Sequence, residues 1–211
     1  MDTNIHELVH GSIVCVIDDD GTVCSSLKSL LGSVGIRAET FSSIAEFMKF
    51  TMPDAPACLI LDVRLRGQSG LAAQEQIAQN KQIPIIFITG HGDVEMSVRA
   101  LKAGAVDFIE KPFRAQRILD AVAGALAKDH ARRQSERASQ SLHVKYHLLT
   151  LREREVMFHV AGGLLNKQIA AVMNLSEITV KIHRRQAMKK MESESLADFV
   201  LKAAALGLSS T

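Results

Sequence analysis

The chain has 211 residues, 47% of them hydrophobic and 23% charged; the length exceeds the usual single-domain size and the composition is ordinary for a globular protein, so two domains are expected. No apolar run approaches the roughly 18 residues that a bilayer span needs, and residues 1–10 carry Asp2 and Glu7 without an apolar core, so we expect no membrane segment, no signal peptide and a cytoplasmic location. The net charge of +2 is uneven, with residues 148–211 at +3 and residues 1–147 at −1, which points the C-terminal part toward a polyanion.

Taken in chain order, residues 12–127 alternate short apolar runs with longer periodic ones. Strand-like runs occupy 13–17, 37–41, 58–61, 84–88 and 106–109. Helix-length segments lie near 21–34, 43–50, 69–80 and 92–103, and another follows Phe113. Five strands alternating with five helices predict an α/β fold, a doubly wound five-stranded parallel sheet. The first, third and fourth runs are apolar throughout, as strands covered on both faces should be. Cys15, Cys24 and Cys58 are odd in number and widely spaced, and Cys15 and Cys58 lie in apolar runs, so free buried thiols are expected rather than a disulfide frame or a zinc site. Residues 128–141 are polar and lack Gly and Pro, which suits a helical extension or linker. From Leu149 onward only helical patterns occur, and a second, all-α domain of about 60 residues is expected.

Ligands of an open parallel sheet gather beyond the carboxyl ends of its strands. Asp18-Asp19-Asp20 leave the first strand, Asp62 the third, Thr89 the fourth and Lys111 the fifth. Each alone has a plain reading: the Asp triplet as a turn and helix cap, Thr89-Gly90 as a turn, Lys111-Pro112 as a loop. Together they form a chemical site. Packed carboxylates repel unless a cation joins them, and hard oxygen ligands favour Mg2+ (or Mn2+) over zinc. A lysine and a hydroxyl beside them suit the oxygens of a phosphoryl group, with Asp62 as its acceptor. Gly90-His91-Gly92 lacks the lysine and serine of a P-loop, so no nucleotide site is expected there.

Asp18-Asp19, Asp62 with Gly70 eight residues on, Thr89 and the run from Phe108 through Lys111-Pro112 to Phe113 resemble the receiver domains of bacterial two-component response regulators. The stretches 88–93 and 103–113 resemble the subfamily of the nitrogen-fixation regulator FixJ. The resemblance implies a flavodoxin-like fold over residues 11–127. It implies that Asp19, Asp62 and the backbone carbonyl of Arg64 bind the metal directly and Asp18 through water. It further implies that Lys111 pairs with the phosphoryl group ahead of a cis peptide to Pro112, that Thr89 moves toward the phosphate, and that Phe108 swings inward behind it. Leu65 and Arg66 depart from the family's usual Met-Pro, and the missing proline frees the loop backbone, which bears on phosphoryl lifetime rather than on the acceptor.

In the C-terminal part, Thr150 and Glu153 form a capping box that opens a helix. Asn166 is expected to cap a short helix, Asn174-Leu175-Ser176 to turn the chain, and Ser176 to cap a longer helix to about Met191: a helix-turn-helix. On that longer helix Val180, Ala187 and Met191 share one face, while Lys181, Arg185 and Lys189 form a basic stripe on the opposite side together with Ile178 and Ile182. A solvated charged face explains the cations but not two outward isoleucines, which suit thymine methyl groups. Leu149-Thr150, Arg152-Glu153, Asn166-Lys167, Ile169-Ala170 and Thr179-Val180-Lys181 with His183 resemble the LuxR/NarL-type DNA-binding domain, with Gln186 in place of the family's usual asparagine. By that resemblance Lys181, Ile182 and Arg185 face bases, Lys167, Thr179 and Lys189 hold phosphates, and His183 packs. A last helix, 196–206 with Gly207 as its stop, offers an apolar face for pairing two such domains.

The domains expected are a receiver at 11–127, a helical linker at 128–147 and a DNA-binding domain at 148–211. The function expected is that of a transcriptional response regulator and phosphoprotein, not an enzyme beyond slow self-dephosphorylation, with no catalytic residues. Its expected partners are a sensor histidine kinase, double-stranded promoter DNA, a second copy of the chain on phosphorylation, and RNA polymerase. One rival comes from Asp18-Asp19-Asp20-Gly21-Thr22, which fits the D-x-D-G-T signature of haloacid-dehalogenase-like phosphatases, with Asp18 as nucleophile and Asp20 as general acid. In that rival Gly92-Asp93 falls on the wrong side of Lys111, and Asp62 and the helix-turn-helix have no task.

Overall fold

The computed structural model describes residues 11–65, 68–90 and 94–208; the readings placed on residues 1–10, on Arg66 and on residues 91–93 lie outside them. Five strands, β1 (Ile13–Ile17), β2 (Arg37–Phe41), β3 (Ala57–Asp62), β6 (Ile85–Thr89) and β7 (Asp107–Glu110), form a parallel sheet in the order β2-β1-β3-β6-β7. The helices α1 (Gly21–Ser33), α2 (Ile44–Lys49), α3 (Gly70–Lys81), α4 (Val94–Lys102) and α5 (Ala115–His147) follow the strands in turn.

Side-chain alternation sorts the sheet's residues into two cores. Val14, Val16, Cys58, Ile60, Ile86 and Ile88 pack with Leu27 and Leu31 of α1 and Ile118, Val122 and Leu126 of α5. Ile13, Ile17, Leu59, Leu61, Ile85 and Phe87 pack on the other face with Phe47 of α2, Ile77 of α3 and Ala100 of α4. All three cysteines are buried and free. Burial, with Glu39 nearby, pushes the Cys15 thiol up to about 12, so it behaves as a small hydrophobe rather than a reactive thiolate.

An antiparallel hairpin that the sequence pattern did not announce, β4 (Arg64–Leu65) with β5 (Gln68–Ser69), follows the third sheet strand. It closes onto Gly70, whose N–H donates to the carbonyl of Val63 at 2.9 Å. A Cβ at Gly70 would overlap the carbonyl oxygen of Asp62, so this loop closes only on glycine.

The chain divides into two compact units, Met1–Arg133 and Gln134–Thr211. The second contains the end of α5 and four further helices, α6 (Leu151–Ala161), α7 (Asn166–Met173), α8 (Glu177–Lys190) and α9 (Leu196–Ala205). Val156, Met157, Ile169, Val180, Ala187, Met191 and Phe199 form its core, with Leu142 and Tyr146 of α5 packed against it. The Thr150–Glu153 capping box is present, Asn174 turns the chain in the left-handed region at φ +54°, and Ser176 caps α8. One expectation is corrected: the cap of α7 is Leu165, not Asn166. The Gln168 carboxamide accepts the N–H of Leu165 at 2.8 Å and starts the helix one residue early, while the Asn166 oxygen accepts from Arg184 at 3.1 Å instead. Among the described residues no helix is long and apolar enough to cross a membrane.

Candidate functional site

Strand register brings the acidic residues together. Ile17 of β1 pairs with Leu61 of β3, so Asp18 and Asp62 leave adjacent strands at the same level. Asp62 in turn lies opposite Ile88, one residue before Thr89, and Thr89 lies opposite Glu110, one residue before Lys111. One carboxylate oxygen from each of Asp18, Asp19 and Asp62 lies within 4.8 Å of the others.

Lys111 holds the centre of this edge. Its Nζ donates to Asp18 Oδ2 at 2.7 Å and to Asp62 Oδ2 at 2.8 Å, and its backbone N–H donates to the Thr89 carbonyl at 2.7 Å. The second oxygens are filled from the backbone: Asp20 N–H donates to Asp18 Oδ1 at 2.9 Å and Arg64 N–H to Asp62 Oδ1 at 3.0 Å. The Lys111–Pro112 peptide is cis, as the family resemblance implies.

Lys111 meets two of the three carboxylates, Asp18 and Asp62, and the clustered oxygens of all three are the hard ligands that suit a divalent cation such as Mg2+. Burial raises the Asp18 carboxyl pKa, and the bonds from Lys111 and Asp20 only partly offset it. Burial alone would lower the Lys111 pKa, but the hydrogen bonds and charges of Asp18 and Asp62 outweigh it and hold the ammonium protonated. Thr89 is fully buried at the end of β6. Phe108 is half-buried, its ring 6.4 Å from that of Phe87.

Asp18 and Asp62 differ in access. The Asp18 side chain is 1% exposed and that of Asp62 10%, so an incoming group reaches Asp62 first. Asp20 is a helix cap: its carboxylate accepts the Thr22 N–H at 2.8 Å, and that bond holds its pKa below the usual carboxylate range. A general acid needs the opposite shift.

In the second unit α8 presents the expected faces. Val180, Ala187 and Met191 are fully buried, whereas Ile178 and Ile182 are 71% and 55% exposed. Lys181, Arg185 and Lys189 are exposed, and Ile182, Arg185, Gln186 and Lys189 line a groove of about 390 Å³. Lys167 is exposed at the start of α7. Thr179 is half-buried, and its hydroxyl lies 2.8 Å from the capping hydroxyl of Ser176. Two part-buried ties escaped sequence reasoning. Glu153 accepts from Lys190 at 2.7 Å, binding the start of α6 to the last turn of α8. Arg184 binds α8 to Asn166 of α7. Neither pair follows a short-range spacing that a sequence shows.

An acidic sheet edge bridged by one lysine suits the gain and loss of a charged group, and an exposed basic helix after a tight turn suits DNA; a chain that joins the two has the form of a response regulator. The comparisons agree. Residues 14–123 match the response regulator receiver domain and residues 147–203 the bacterial regulatory proteins of the luxR family, and the chain belongs to the response regulators that combine these two domains. It is 51% identical to nodulation protein W of Bradyrhizobium diazoefficiens over 94% of this chain and 88% of that one. Identity to the transcriptional regulatory protein FixJ of the same organism is 35%, over 92% of this chain and 96% of that one. Among solved structures, the response regulator StyR superposes with a TM-score of 0.82 at 42% identity, covering 92% of this chain and 98% of its own. This is the make-up of a phosphorylation-switched transcription regulator, and neither the site nor the relatives favour the phosphatase reading.

Proposed function

We propose that Asp62 accepts a phosphoryl group from a sensor histidine kinase and that this acyl phosphate controls DNA binding by the second domain. The observation that carries the assignment is Lys111 bridging Asp18 and Asp62, with Asp62 the more exposed of the two carboxylates. An Asp62 oxygen attacks phosphorus, the P–N bond to the kinase histidine breaks, and the imidazole leaves with the electron pair. Mg2+ (or Mn2+), when bound, neutralises charge on the transferring oxygens. Asp19, Asp62 and the Arg64 carbonyl would hold it directly and Asp18 through water. Lys111 pairs with the incoming phosphoryl oxygens, Thr89 moves to bond one of them, and Phe108 follows into the space behind.

The resulting change on α4, β7 and α5 favours homodimers of the receiver, residues 11–127, and the linker at 128–147 carries the effect to the DNA-binding domain at 148–211. Lys181, Ile182 and Arg185 read bases, and Lys167, Thr179 and Lys189 hold phosphates. Two recognition helices then meet half-sites about one helical turn, or a multiple of one, apart. Bound at a promoter, the dimer acts on RNA polymerase. The test is phosphate incorporation from acetyl phosphate and Mg2+, read as hydroxylamine-sensitive label. Asp62→Asn should abolish it; label that survives Asp62→Asn but is lost in Asp18→Asn would overturn the assignment.

A further inference from the structure

Helix α5 changes character at Lys128. Up to that point Ile118, Ala121, Val122, Ala125 and Leu126 bury an apolar face. The next ten residues, Lys128 to Arg137, contain no large apolar side chain, yet one of them is buried. Asp129 is 1% exposed. Its Oδ2 accepts the backbone N–H of Ala57 at 2.9 Å and Nε of Arg133 at 2.7 Å. Its Oδ1 accepts Nε and Nη2 of Arg132 at 3.1 and 2.7 Å. Arg133 continues to Asp54 at 3.1 Å, and Arg132 to the Gln82 carboxamide at 3.2 Å.

A carboxylate taken out of water is unfavourable unless its lone pairs are filled and its charge is met. Here four N–H groups do both: three come from Arg132 and Arg133 on the helix itself, and the fourth, that of Ala57, ties the helix to the sheet. The anchor point is specific: Ala57 opens β3, the strand that ends in Asp62. Beyond Arg133, residues 134–141 are all exposed. A polar helical stretch with no packed face is marginal by itself, so its order depends on how its ends are held.

We infer that Asp129 is a positioning residue for the output of the switch. It clasps α5, through residue 133, to the strand that carries the phosphoacceptor, so the receiver end of the connecting helix moves with that domain and passes its change onward. This rests on the proposed phosphorylation of Asp62.

The experiment uses the full chain, acetyl phosphate with Mg2+, and a DNA duplex selected from a random pool by the phosphorylated wild type. Asp129→Ala removes the clasp, and Arg132→Gln with Arg133→Gln strips its cations while leaving Asp129 on Ala57. In both, phosphate incorporation and DNA affinity without phosphate should stay within about twofold of wild type. The gain in DNA affinity on phosphorylation should fall by about fivefold or more, the lower end of ordinary allosteric coupling. Amide exchange over residues 130–141, measured without phosphate, should rise. A gain kept at the wild-type level in both variants, or unchanged exchange in Asp129→Ala, overturns the clasp. A wild-type chain that gains no affinity overturns the switch and the transmission with it, while the exchange result still reports the clasp separately. A merely structural loss would lower phosphate incorporation and basal binding together, and that result also overturns the positioning role.

Discussion

Glu153→Gln isolates the tie between the helix that starts the DNA-binding core and the recognition helix. The Glu153 side chain is 6% exposed, and its Oε2 accepts Lys190 Nζ at 2.7 Å and the Thr150 N–H at 2.7 Å. Glutamine keeps an oxygen for Thr150 and drops the charge that meets Lys190. Breaking a fully buried pair costs ~3–5 kcal/mol, and a surface pair is worth ~0–1 kcal/mol. Lys190 is 34% exposed and recovers part of its hydration, so the loss falls between these limits, at about 2 kcal/mol. For a domain of this size that lowers Tm by roughly 8–16 °C.

The assay is built into the chain. It has one tyrosine and no tryptophan, and Tyr146 packs on the second unit's core with the Arg154 guanidinium 5.0 Å from its ring, so tyrosine fluorescence follows unfolding of this unit. Acid supplies a second arm. Burial pushes the Glu153 carboxyl upward, but the bonds from Lys190 and Thr150 outweigh it and leave the pKa below its ordinary 4.5. A depressed folded-state pKa gives stability that is fully present above the unfolded value and lost as pH falls through the folded one. The gap between wild type and Glu153→Gln should therefore be full at pH 7 and shrink as the pH is taken below 4.5. Equal unfolding midpoints at pH 7, or a gap that stays constant on acidification, would refute the reasoning.

Gly70→Ala should destabilise the first unit by about 1–3 kcal/mol, because its new methyl group meets the Asp62 carbonyl and not a side chain able to swing away; denaturant unfolding followed by circular dichroism measures it, with slower phosphate uptake at Asp62 alongside. Lys189→Ala should weaken binding nearly uniformly across DNA sequences and reduce the salt slope by about one, whereas Arg185→Ala should cost about 1–3 kcal/mol at one base position and relax the preference there. Affinities measured across a salt series on selected and scrambled duplexes separate the two, and a flat salt response in the wild type would contradict the basic stripe.

The parts legible in the sequence are those where one short segment carries its own signal. Runs such as residues 13–17 and 58–61 are apolar on both faces because both faces are covered, and a parallel sheet then sends Asp18 and Asp62 to one edge without further information. The hairpin of β4 and β5 was invisible because two-residue strands have no periodicity to read. Asn166 is a good capping residue, yet Gln168 three residues after Leu165 claimed the earlier N–H, a local competition that composition does not decide. Asp129 was hidden for a different reason. Its neighbours Lys128, Arg132 and Arg133 read as a solvated helix face, while the group that buries it, the Ala57 N–H, comes from 72 residues away.

Lys111 sets the scale of what the switch can move. It holds Asp18 and Asp62 at once, so under the proposed function phosphoryl transfer to Asp62 would present it with an exchange of partners rather than a loss. The Asp62 carboxylate charge disappears into the acyl bond, while the phosphoryl oxygens bring about −1.5 to −2. The net gain left for conformational work is then a difference between two good pairings, on the order of the ~1–3 kcal/mol usual for coupled sites. An energy of that size cannot repack β1, β3 or β6, whose residues are all buried, because close-packed interiors resist rearrangement. It can move β7, an edge strand whose Asp107 and Phe108 are only half-buried and which Lys111 ties to the Thr89 carbonyl at 2.7 Å. The displacement that follows phosphorylation should therefore begin at β7 and pass to the helix after it, the same helix that Asp129 fastens to the far end of β3.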